Sequence, residues 1–281
     1  MWRWCHKQCF YVLKNKRLLK VKVMNNIKII FFDIDGTLLA LSKKQLSEKM
    51  KEVLRRLREN NIILCIATGR APITLPPLEG AEFDAYLTFN GSYCYTKKDI
   101  IFSQAIPKDA VEKVLENATK LGRPVSVATR KRLASNGKDK DLADYYALVK
   151  LEIEVSKNFE EVLNDDIYQI MLGSEKKEYE KLMEDVEGAK ITAWWDRAVD
   201  IIPSTTGKGV GVDRILEYYG FNRENAIAFG DGSNDIEMLK TVGIGVAMGN
   251  ATEDVKEIAD EVCASVEEDG IYHFCVKYGL I

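Results

Sequence analysis

Apolar and polar positions along the chain follow two rhythms. The stretch KIIFFDIDGTLL begins with an unbroken apolar run, Ile29 to Phe32, with Ile34 just beyond, which predicts a strand buried on both faces. LSKKQLSEKMKEVLRRLREN then sets Leu46, Met50, Val53, Leu54 and Leu57 on one helical face, with Ser42 and Gln45 spaced as a capping box. NIILCIATGR and DAYLTFNG are further apolar runs, and SYCYTKKDIIFSQ alternates as a hairpin does. Strand, helix and strand with no alternation in the strands predict a parallel sheet covered on both sides.

After Pro107 the rhythm changes. KDAVEKVLENATKLG, DKDLADYYALVK and EKKEYEKLMEDV read as helices, while PVSVATRKRLASN, DIYQIMLG and AKITAWWDRAVDII read as strands. These strands alternate apolar with polar residues, the pattern of an antiparallel sheet with one covered face. From Gly207 the first rhythm returns. KGVGVDRILEYYG carries Val212, Ile215, Leu216 and Tyr219 at helical spacing, and NAIAFGDGSND and VGIGVAMGNA are buried strands. TEDVKEIAD reads as a capped helix and EVCAS as a last strand. The expected architecture is α/β: a Rossmann-like parallel-sheet core from residues 27–106 and 200–281, interrupted by an α+β domain at 107–199.

Composition changes this picture at one end only. The 281 residues carry 40 Lys and Arg against 43 Asp and Glu, a net charge of −3 that offers no field to gather nucleic acid. No apolar run reaches the roughly 18 residues a spanning helix needs, which argues against a membrane partner. Cys5, Cys9, Cys65, Cys94, Cys263 and Cys275 have irregular spacing, so the chain is expected in a reducing cytoplasm. Cys65 lies inside an apolar run and reads as a buried thiol. Residues 1–26 are basic throughout, with no acid before Asp33. Cys5, His6 and Cys9 lack a fourth ligand for zinc, and lysines interrupt every stretch that a signal peptide would need. We read these residues as a poorly ordered leader or a start-site artefact upstream of Met24.

The chemistry gathers at strand ends. In a parallel sheet, ligands bind at the carboxyl ends of the strands. Asp33 and Asp35 stand there after the first strand, Thr68 after the second, and Asp231, Asn234 and Asp235 after a later one, with Lys208 opening the helix before it. Carboxylates crowded into one crevice call for a cation, and an all-oxygen carboxylate set points to magnesium. Two lookalikes fail. STTGKGVG lacks the phosphate-loop spacing and has Gly209 after Lys208, and DGSNDIE has Ile236 where a calcium loop needs glycine.

Taken together, DIDGTLL (Asp33 to Leu39), ATGR (Ala67 to Arg70), Lys208 in GKGVGV and GDGSNDIEML (Gly230 to Leu239) resemble, in order, the four motifs of the haloacid dehalogenase superfamily. The insertion between the second and third motifs, with FNGSY, AVDIIP and GVAMGNA, resembles its Cof-like sugar phosphatase branch, in which the insertion is a cap. The resemblance implies that Asp33 attacks phosphorus to give an aspartyl phosphate and that Asp35 serves as acid and then base. It implies Mg2+ held by Asp33, the backbone carbonyl of Asp35, and Asp231, with Thr68 and Lys208 on the phosphoryl oxygens. Asp235 would orient Lys208. Gly36, Gly69, Asn90 and Asn234 would complete the substrate-binding set. The implied partner is a small phosphorylated metabolite, a sugar phosphate, with Arg130, Arg132, Tyr168, Trp194, Trp195 and Arg197 as cap residues to contact it. A phosphosugar mutase and a non-catalytic phosphometabolite-binding protein are the alternatives.

Overall fold

A computed structural model describes residues 26–193 and 195–281. The expectations for the leader, for Cys5, His6 and Cys9, and for Trp194 lie outside the described residues. The first segment runs β1 (Ile29–Phe32), α1 (Glu48–Glu59), β2 (Ile63–Ala67), β3 (Ala85–Thr88), β4 (Tyr93–Thr96) and β5 (Ile100–Ser103). The middle runs α2 (Lys108–Lys120), β6 (Val125–Ala128), β7 (Leu133–Ser135), α3 (Lys140–Leu148), α4 (Phe159–Val162), β8 (Gln169–Gly173), α5 (Tyr179–Leu182), β9 (Ala189–Thr192) and β10 (Ala198–Pro203). The last comprises α6 (Lys208–Tyr219), β11 (Ala226–Gly230), α7 (Ile236–Thr241), β12 (Ile244–Ala247), α8 (Glu253–Ile258), β13 (Glu261–Val262) and α9 (Gly270–Tyr278).

The strands form two sheets. The larger has the order β13-β12-β11-β1-β2-β3-β4-β5. It is parallel from β13 to β3, and β4 and β5 extend it as an antiparallel hairpin. The unbroken apolar run of β1 has a direct cause. Ile30 and Phe32 pack on one side of the sheet with α1 and α9, and Ile29 and Phe31 on the other with α6 and α7. β1 lies in the middle, between β2 and β11, so its carboxyl end opens beside theirs.

The smaller sheet, β7-β6-β8-β10-β9, is antiparallel and belongs to the cap. Its strands alternate as expected, but the polar face is covered as well. Val125, Val127, Ile170, Leu172, Val199 and Ile201 face an apolar cluster, while Ser126, Gln169 and Asp200 on the opposite face are buried too. That second face turns toward α3 and the large sheet, which is why its polar residues are not solvated. β10 pairs through Pro203, so the small sheet reaches past residue 199.

Three local expectations are corrected. The box at Ser42 and Gln45 does not form: α1 starts later, capped by Ser47, whose hydroxyl accepts from Met50 N at 3.0 Å. EKKEYEKLMEDV yields a 3-10 turn and the single α-helical turn of α5, because Leu182 is its one buried side chain and cannot anchor more. Thr252 occupies the N-cap position of α8 without a side-chain bond. Cys65 is fully buried, as read.

Candidate active site

The floor is built from loops leaving β1, β2 and β11. After β1 the chain folds back on itself, with Leu38 N and Leu39 N bonded to the carbonyls of Asp33 and Ile34. Gly36 makes this turn with φ of +89°, and a Cβ there would lie 2.2 Å from Asp231 Oδ2. Glycine is the one residue that permits both the turn and the approach. Asn250 Nδ2 holds the Gly36 carbonyl at 2.9 Å. Thr68, just past β2, is buried, and its hydroxyl accepts from Arg70 N at 3.1 Å.

Lys208, the first residue of α6, is buried and reaches across the floor. Its Nζ donates to Asp33 Oδ1 at 2.7 Å and to Asp235 Oδ1 at 2.6 Å. The other oxygen of Asp235 accepts from the amides of Asp231 and Gly232, both at 3.0 Å. Asp231 accepts from the Thr37 hydroxyl at 2.7 Å. Burial opposes the charge on Lys208, yet Asp235 and Asp33 hold its pKa above the ordinary lysine range. For Asp33, burial and then the neighbouring aspartates outweigh Lys208 and push the carboxyl well up. Burial and the Asp235 charge push Asp231 up to about 7.

On this floor three carboxylates face one ammonium, more negative charge than the lysine balances. Carboxylate oxygens of Asp33, Asp231 and Asp235 lie within 4.8 Å of one another. Asp235 is taken up by Lys208 and two amides, which leaves Asp33 and Asp231 the better placed to share a cation. The donors are hard oxygens, and the group fits Mg2+ by its chemistry.

Asp35 stands apart from that cluster. Both of its oxygens accept from the Arg70 guanidinium, at 2.6 and 2.7 Å, in a two-pronged pair. Arg70 also donates to the carbonyls of Thr74 at 3.0 Å and Val149 at 3.3 Å, the latter at the end of cap helix α3. Arg70 was visible in the ATGR stretch but carried no role there.

Asn90 and Asn234 come together beside the floor, Asn234 Nδ2 donating to Asn90 Oδ1 at 3.0 Å. Gly69 lies against Asn90, where an added Cβ would sit 3.0 Å from its Nδ2. Asn90 Nδ2 in turn donates to Asp200 Oδ2 at 3.1 Å. Asp200, on β10 of the small sheet, also accepts from the Tyr145 hydroxyl at 2.6 Å and from Gln169. Burial pushes this carboxyl up to about 7, against the pull of its donors. Asp200 was not foreseen as a site residue; the signal was an acid within the apolar AVDIIP stretch. Phe89 and Asn90, which connect the two sheets here, both take left-handed backbone, with φ of 51° and 52°.

Floor and cap enclose a cavity of about 220 Å³. Asp33, Asp35, Thr68, Gly69, Asp231, Asn234 and Asp235 line it from the large sheet, with Arg70. From the cap come Ala128, Leu133, Tyr145, Tyr146, Val149, Leu151, Gln169, Met171 and Asp200. Among the described residues, none of the cap side chains expected from the sequence lines it. Arg132 pairs with Asp165 and Glu161 on the surface. Arg197 pairs with Asp141 and Asp144 and covers the Trp195 ring, and Arg130 covers the Tyr93 ring. Tyr168 is buried against Phe89, its hydroxyl bonded to Ser103. Each of these side chains already has a protein partner, and that partner draws it away from the cavity.

The chain has extensive likeness to known proteins. The family profile of haloacid dehalogenase-like hydrolases matches residues 30–275. The putative phosphatase YkrA of Bacillus subtilis is 29% identical over 260 residues, covering 90% of this chain and 98% of that protein. The 5-amino-6-(5-phospho-D-ribitylamino)uracil phosphatase YitU of the same organism is 29% identical over 265 residues, covering 89% and 97%. Among solved structures, that of the HAD subclass IIB sugar phosphatase BT4131 superposes with a TM-score of 0.82 at 30% identity, covering 90% of this chain and all of that one.

Proposed function

The chain belongs to the haloacid dehalogenase-like hydrolases and is an enzyme of the phosphoric monoester hydrolase type; from that premise we propose that it is a Mg2+-dependent phosphatase of small phosphorylated metabolites in the cytoplasm. The observation that carries this reading is the Asp33–Lys208–Asp235 triad beside Asp231, whose three aspartates line a cavity with Asp35 while the lysine lies buried behind them. Sugar phosphates are the substrates that the sequence resemblance implies, and the subclass IIB neighbour supports that class.

In this reading Asp33 and Asp231, with the Asp35 carbonyl, hold the cation. Bound there, it would offset the carboxylate charge and polarise the phosphoryl oxygen. One oxygen of Asp33 is fixed by Lys208, which leaves the other to attack phosphorus. The new Asp33–phosphorus bond forms as the ester oxygen departs, and Asp35 supplies that oxygen with a proton. Water then attacks the aspartyl phosphate and gives its proton to Asp35, releasing phosphate and restoring Asp33. Lys208 and Thr68 steady the phosphoryl oxygens. Both oxygens of Asp35 accept from Arg70 in this structure, so the proton it gives and takes would sit on a lone pair that the guanidinium leaves open.

The large sheet, from residues 27–106 and 200–281, would carry the chemistry, and the insertion at 107–199, continued to the end of β10, would close over the substrate. Neutral Gln169 and the Tyr145 hydroxyl also join the cap to Asn90 through Asp200, which fits a closed state. The test is phosphate release from a panel of small monoesters with Mg2+ present. Release that stops on chelation and resumes on adding Mg2+ supports the reading. Isomerised product without release would instead favour a mutase, and binding without turnover a sensor.

A further inference from the structure

The floor and the roof of the cavity differ in what they ask of a substrate. The roof shows Tyr145 and Tyr146 rings with Leu133, Val149, Leu151 and Met171. Its polar atoms are occupied with one another. The Tyr145 hydroxyl donates to Asp200, the Tyr146 hydroxyl bonds Ser126, and Gln169 bonds Asp200. Among the described residues one acceptor there has no partner, the carboxamide oxygen of Gln169. The only cation lining the cavity among the described residues is Arg70, and Asp35 holds it by two bonds.

A hexose lying against this wall would bring hydroxyls onto rings and aliphatic carbons, where they lose water without gaining a partner, and only those turned toward Ser233, Asn234 or Thr74 at the cavity's edge would meet a polar side chain. A second anionic group would meet no free cation and would approach Asp200. A flat apolar ring suits the wall, with at most one donor at its edge for Gln169. At about 220 Å³ the cavity also lies below the usual ~300–1,000 Å³ of sites for drug-sized ligands, which favours a single ring.

Resting on the phosphatase reading, we infer that the preferred substrate is a phosphate monoester whose leaving group is a neutral, ring-bearing alcohol of aryl-methyl or heteroaryl-methyl type, selected by the Tyr145, Tyr146, Leu151 and Met171 wall. This narrows the metabolite class and places sugar phosphates second.

Reactivity must be matched for a fair test, so both probes are esters of alkyl alcohols: benzyl phosphate and glucose 6-phosphate, with the full chain and Mg2+. We expect kcat/KM for benzyl phosphate to exceed that for the hexose ester by about ten- to a hundredfold, the discrimination an apolar pocket provides. Adding a para-carboxylate to the benzyl ring should lower kcat/KM by about tenfold or more. Leu151→Gln, at a half-buried position, should narrow the benzyl-to-hexose ratio; Met171→Gln gives a second reading if the first variant misfolds. Equal or better hydrolysis of glucose 6-phosphate overturns the inference and leaves the phosphatase standing. So does a ratio that neither folded variant moves. Absence of release from every ester overturns both.

Discussion

The floor and the roof of the cavity are both buried, yet they keep their carboxylates in opposite ways. On the floor, Asp33 and Asp235 share the Lys208 ammonium, and the excess negative charge leaves room for a divalent ion. In the roof, Asp200 is held by neutral donors, Asn90, Tyr145 and Gln169. In the proposed reaction, the first arrangement keeps charge ready where charge develops in a phosphoryl transfer. The second fixes the position of a strand and two rings without offering charge to a ligand. Similar burial thus supports chemistry on one side of the cavity and shape on the other.

The sharpest way to break this division is to remove the proposed nucleophile. Asp33→Asn should lower kcat at least about a thousandfold, and by the same factor for benzyl and hexose esters. A substrate-dependent loss in a steady-state comparison would mean that the floor also selects the leaving group. Lys208→Met comes next, with kcat down about a hundred- to a thousandfold. It should also cost about 3–5 kcal/mol in urea unfolding, because Asp33 and Asp235 lose their buried counter-charge. An unfolding midpoint equal to the parent's would show that the floor does not depend on the lysine.

The roof's carboxylate makes a prediction with a sign. Its folded pKa of about 7 lies above the unfolded value near 3.8, so between these limits the folded chain binds the extra proton. Its contribution to stability is fully present below about 4 and is lost as pH rises through about 7. Asp200→Asn should remove its share of that decline and leave the share of Asp231, so the variant's midpoints fall less steeply with pH than the parent's across the range. A variant with an unchanged pH slope would place the titration elsewhere. The smallest effect is expected of Tyr145→Phe, a loss of about 1–2 kcal/mol as Asp200 loses its 2.6 Å bond. The ring remains, so the ratio between the two ester classes should hold; a ratio that moves would give the hydroxyl a part in recognition.

Legibility in the sequence followed the same division. On the floor, Asp33, Thr68 and Asp231 stood at the ends of apolar runs and were conspicuous because chemistry and burial disagreed, while Lys208 opened a helix after a polar stretch. The parallel sheet was equally plain, since β1 alternates between two cores and both are apolar. The roof was hidden. Tyr145, Tyr146 and Met171 look like ordinary packing residues until the fold turns them onto a cavity, and exposed arginines such as Arg132 drew attention that their surface partners had already taken. Helix α9 passed unread although Ile271, Phe274 and Cys275 follow helical spacing, because its start at Gly270 carries no apolar warning.

Phe89 and Asn90 carry one more consequence. Two successive left-handed residues, one of them aromatic, form a corner that the backbone alone disfavours. Bonds from the large sheet hold it, Phe89 N to the Arg70 carbonyl and Asn234 to Asn90, and the inserted segment adds two more restraints: Tyr168 stacks on Phe89 at 5.3 Å between ring centroids, and Asp200 accepts from Asn90. Neither restraint exists until the strands around Tyr168 and Asp200 have paired. The corner also places the loop that meets Thr68, since Asn90 N bonds its carbonyl. The two sheets are therefore braced against each other at this corner, and a change that loosens Tyr168 or Asp200 reaches the loop beside Thr68 without touching the floor itself.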